Sequence, residues 1–75
     1  MTSSQLQDLI IASLLRRLGG TARRWRLVLG AIRFHDPLTH VCNWSFNPSG
    51  DSRDVAEVEN VLDVLRIEHP RIDAD

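Results

Sequence analysis

The stretch RRWRLVLGAIRF, Arg23–Phe34, can be read two ways, and the choice sets the fold. With a period near 3.6, Trp25, Val28, Leu29 and Ile32 share one face, and Thr21 is placed to cap the helix. With a period of two, it is a mostly apolar strand interrupted by Arg26 and Gly30. It ends at His35-Asp36-Pro37, where Asp followed by Pro marks a type I turn. The residues after the turn favour the second reading. In HVCNWSF, His40–Phe46, the residues Cys42, Trp44 and Phe46 alternate with Asn43 and Ser45, the pattern of a half-buried strand. A strand needs a partner, and residues 24–34 are the nearest. The expectation is a β-hairpin of strands 24–34 and 40–46. One register sets His40 opposite Phe34 and Trp44 over Gly30, an aromatic covering a strand glycine.

Helices flank this hairpin. Leu6, Ile10, Ile11, Leu14, Leu15 and Leu18 recur at helical spacing, so residues 4–18 form an amphipathic helix. Ser4 with Gln7 makes a capping box. Arg16 and Arg17 suit the carbonyl end of its dipole, and Gly19-Gly20 ends it. Asn47-Pro48-Ser49-Gly50 breaks the second strand. A last helix over 51–69 follows, with Asp51, Asp54 and Glu57 at its positive end and Val55, Val58, Val61, Leu62 and Leu65 as its apolar stripe. Pro70 stops it, leaving 71–75 as a frayed acidic tail. Residues 1–75 thus read as a single small α+β domain, α-β-β-α. The helical reading of 23–34 gives a three-helix, all-α chain as the alternative. A two-stranded hairpin is marginal alone, so two copies pairing edge strands into a four-stranded sheet would make a homodimer.

With 75 residues and 43% apolar composition, the core is thin but ordinary for a folded domain. Cys42 is the single cysteine, so no internal disulfide forms and a reducing, cytoplasmic setting is expected. The apolar run Leu9–Leu15 contains Ser13, follows no basic region and is too short for a bilayer, so neither a signal peptide nor a membrane anchor is expected. Charge is divided along the chain. Residues 1–40 hold six Arg against Asp8 and Asp36, a formal +4, while 41–75 hold three Arg against eight acids, a formal −5. Such halves suit internal pairing, pairing between subunits, or an outside partner.

These residues offer four chemistries. His35, His40, Cys42 and His69 are zinc-ligand types, but only His40 and Cys42 are suitably spaced. Cys42 beside His40 offers a thiol and a base, yet shares its strand face with Trp44 and Phe46, which marks a buried, inert sulfur. No phosphate loop, nucleophile elbow or paired carboxylates stand out, so no catalytic residue and no cofactor are assigned. Arg16, Arg17, Arg23, Arg24, Arg26 and Arg33, with Trp25 among them, form a nucleic-acid candidate through phosphate neutralisation and stacking. Against it, the chain's net charge is −1, and Asp54, Glu57, Glu59 and Asp63 offer internal partners. What remains is protein binding: a small non-enzymatic regulator, such as a phage- or mobile-element-encoded inhibitor or an antitoxin-like protein. Its contact residues would be Trp25, Asn43, Ser45, Asp54 and Glu57.

The pattern His40-x-x-Asn43-Trp44-Ser45, then Pro48-Ser49-Gly50, then Asp63-Val64-x-Arg66-x-Glu68-His69-Pro70 resembles small uncharacterised proteins of GC-rich proteobacteria. It covers the last 36 residues. The resemblance implies no activity. It does imply that Asn43, Trp44 and the Arg66–Pro70 ending belong to one structural or partner-facing unit.

Overall fold

Thr2, two residues earlier than Ser4, opens the first helix. In the computed structural model, which describes residues 1–36, 38–39 and 41–74, α1 spans Ser3–Leu18. The Thr2 hydroxyl accepts from the Gln5 amide at 3.3 Å, while the Gln5 side chain accepts from the Thr2 amide at 2.9 Å. This reciprocal pair satisfies two helix-start donors. Gly19, at φ 74°, ends the helix with its N–H on the Leu15 carbonyl.

Both readings of Arg23–Phe34 hold, each for part of the stretch. The expected strand over 24–34 is corrected: Ala22–Leu29 is a helix, α2, and only Ile32–Phe34 is a strand, β1. The reason lies in which side chains can be buried. A helix sends Trp25, Val28 and Leu29 together into the core and leaves Leu27 in solvent, 73% exposed. A strand would have aligned Trp25, Leu27 and Leu29 and split that trio. Local chemistry supports the helix at both ends. Thr21 Oγ1 accepts from the Arg24 amide at 3.2 Å, and Gly30 (φ 75°) terminates it with its N–H on Arg26 O. Trp25 Nε1 donates to Gly19 O at 2.8 Å, fastening α2 back onto the end of α1.

The hairpin survives in shortened form. β1 pairs antiparallel with β2, Trp44–Phe46, in the register Ile32↔Phe46, Arg33↔Ser45, Phe34↔Trp44. Trp44 therefore faces Phe34, not Gly30, because Gly30 is spent as the helix stop. Trp44 and Phe46 are buried and meet edge to face, with centroids 5.9 Å apart. The last helix, α3, spans Ser52–Glu68, with the Asp51 carboxylate accepting from the Arg53 amide at 2.8 Å. The chain is thus a small α+β domain with a helix–strand–strand–helix order and one additional helix, α2, ahead of the hairpin. Leu6, Ile10, Leu14, Trp25, Leu29, Trp44, Val58 and Leu62 are its fully buried centre.

The tail after Pro70 is not frayed as far as residue 74. Ile72 is buried, Thr2 forms a parallel bridge with Asp73, and the Asp73 amide donates to Met1 O at 2.8 Å. An acidic composition concealed the one apolar residue that docks the segment. No helix is long and apolar enough to cross a membrane among the described residues.

Candidate interaction surface

Asn43 and Ser45, expected on a polar edge facing a partner, are engaged inside the fold. The Asn43 amide group bonds the Ile72 backbone in both directions: Nδ2 donates to Ile72 O at 2.8 Å, and Oδ1 accepts from Ile72 N at 3.0 Å. Its own N–H donates to Pro70 O, and Trp44 Nε1 donates to His69 O at 2.8 Å. Asn43, Trp44 and residues 69–72 are therefore one hydrogen-bonded unit. Two residues on from Asn43, Ser45 Oγ lies 2.6 Å from His35 Nε2, a diagonal cross-strand pair. Sequence reasoning paired His40 with Cys42 and missed this contact, since it depends on a register that hydropathy alone left open.

The residues weighed as zinc ligands form no cluster among those described. Among the described residues, no three His, Cys, Asp or Glu side chains converge. His40 lies outside the described residues. Cys42 is partly buried, with its thiol directed to Trp44 O at 3.2 Å, and His35 is turned to Ser45.

The arginines divide into paired and unpaired. Arg24 Nη2 lies 2.8 Å from both Asp54 oxygens, and its guanidinium sits 4.9 Å from the Trp25 ring centroid. Trp25 itself is 1% exposed, which removes it as a stacking platform or a partner contact. Arg66 pairs with Asp63 at 2.8 Å and, more loosely, with Glu59 at 4.0 Å. Arg16, Arg17, Arg23, Arg26 and Arg33 make no ion pair among the described residues. Glu57 makes none either, and lines with Leu18, Arg24, Trp25, Arg53 and Asp54 a polar cavity of about 230 Å³.

Two apolar features face solvent. Around the hairpin, Leu38 is 93% exposed, Val41 85% and Phe34 45%. These positions escaped the sequence reading because Phe34 ends a three-residue strand and Leu38 and Val41 lie between the strands, stretches too short for a period to flag them. Between α1 and α3, Leu9, Ser13, Val61, Val64 and Leu65 line an open groove of about 190 Å³, with Ile67 exposed nearby on α3. Val64 and Ile67 fall off the buried stripe, so periodicity placed them with the solvent face. No protein-family model, curated protein or solved structure matches the chain.

Proposed function

We propose that this chain is a small non-enzymatic protein-binding module, a regulator or inhibitor that docks on another protein through its hairpin loop. The observation that carries this reading is the exposure of Phe34, Leu38 and Val41 within a few residues of one turn. Large apolar side chains in a turn cost solvation without adding to the core, and their clustering suits a contact surface. Leu38 and Val41 are almost fully exposed and neither belongs to the buried cluster, so Leu38→Asp/Val41→Asp should preserve the fold. Wild-type and variant protein, each immobilised after matching by circular dichroism, are exposed to bacterial lysate. A partner retained by the wild type and lost by the variant supports the reading. Equal retention by both removes the loop as the contact.

The unpaired Arg16, Arg17, Arg23, Arg26 and Arg33 favour a second reading, nucleic-acid binding. It would rest on phosphate contacts alone, since Trp25 is buried. Fluorescence anisotropy with short DNA and RNA separates the two: steeply salt-dependent binding lost in Arg23→Glu/Arg26→Glu would favour it. No binding at low salt would end it.

A further inference from the structure

The groove between α1 and α3 has a charge order of its own. The helices run antiparallel: Leu18, ending α1, shares a cavity with Arg53 and Asp54 at the start of α3, while Thr2 bridges Asp73 just past its end. Leu9 is therefore level with the Glu68 end of the groove. Arg16 and Arg17, which also line it, lie about 10 Å further along, seven to eight residues at the helical rise. Neither end is neutralised among the described residues: Arg16, Arg17 and Glu68 make no ion pair there. Between the ends lie Leu9, Ser13, Val61 and the half-exposed Val64.

We propose that a second copy of this chain docks on the groove, with a two-fold axis passing over Ser13 and Val64. With its axis crossing the groove from α1 to α3, such a contact turns one copy end for end against the other. Arg16 and Arg17 of each copy then meet Glu68 of the other, and the half-exposed Val64 of both is covered. A partner of uniform charge would be repelled at one end of the groove, whereas this chain carries the matching gradient. The edge of β1 is the poorer site for self-pairing. It is three residues long with Arg33 in the middle, and two-fold pairing about that residue sets two guanidinium groups opposite each other.

Light scattering of the purified chain at high micromolar concentration should give twice the 8.5 kDa chain mass. Each charge contact occurs twice in a symmetric dimer, so Glu68→Arg or Arg16→Glu/Arg17→Glu should weaken association by about tenfold or more. Combining them, R16E/R17E/E68R, should restore it by swapping the gradient. Ser13→Cys in a Cys42→Ser background perturbs little and should cross-link across the axis with a short bismaleimide. A monomer mass at high micromolar concentration overturns the proposal. So does a dimer that tolerates both charge reversals, or one that Ser13→Cys fails to cross-link.

Discussion

Asn43 shows how one polar residue can look like surface and serve as a structural joint. Its amide matches a backbone N–H and C=O on Ile72, so removing it strands two groups in a partly buried site. Asn43→Ala should therefore cost about 1–3 kcal/mol, whereas Asn47→Ala, at an exposed side chain with no hydrogen bond among the described residues, should stay within about 0.5 kcal/mol. Urea unfolding of both variants checks this, and equal midpoints would contradict it. The polar type and alternation of Asn43 were legible in the sequence. Its destination was not, since Ile72 lies 29 residues away and nothing local links them.

At the scale of elements, α2 is decided by its ends as much as by its buried face. Gly30 has φ 75° and ψ −162°, a backbone region open essentially to glycine alone. A Cβ there would meet nothing closer than Asn47 O at 3.9 Å, so the penalty of Gly30→Ala is conformational, about 1–3 kcal/mol. Thr2→Ala removes the cap of α1 and should cost about 1 kcal/mol. Thermal melts of the two variants test whether these termini hold their elements; an unchanged Gly30→Ala melt would show that the turn relaxes. The apolar periods of α1 and α3 were plain because each spans several turns. The span 23–34 was ambiguous because two short elements of different period share twelve residues of chain.

Across the whole molecule, the two ends of the chain close the fold. Ile72 is 5% exposed and belongs to the core cluster with Leu6, Trp44 and Leu65, and Asp73 bonds back to Met1. Ile72→Ala should cost about 2–5 kcal/mol, a large share of what so small a domain has. The melting temperature should then fall by at least about 8 °C, given the usual slope for this size. A change of a degree or two would mean that the tail contributes nothing.

The sequence by itself determined the α+β class, the two long helices and the buried faces of α1, α3 and the second strand. These follow from repeated periodicity and from capping chemistry within a few residues. The tertiary structure alone decided that Trp25 lies in a helix, that Phe34 faces Trp44, that Asn43 holds the tail, and that Arg24 meets Asp54 while Arg16, Arg17 and Glu68, along one groove, make no ion pair among the described residues. Each of those depends on which distant surfaces meet. Helical and strand periods say which side of an element is apolar; only packing says what lies across from it.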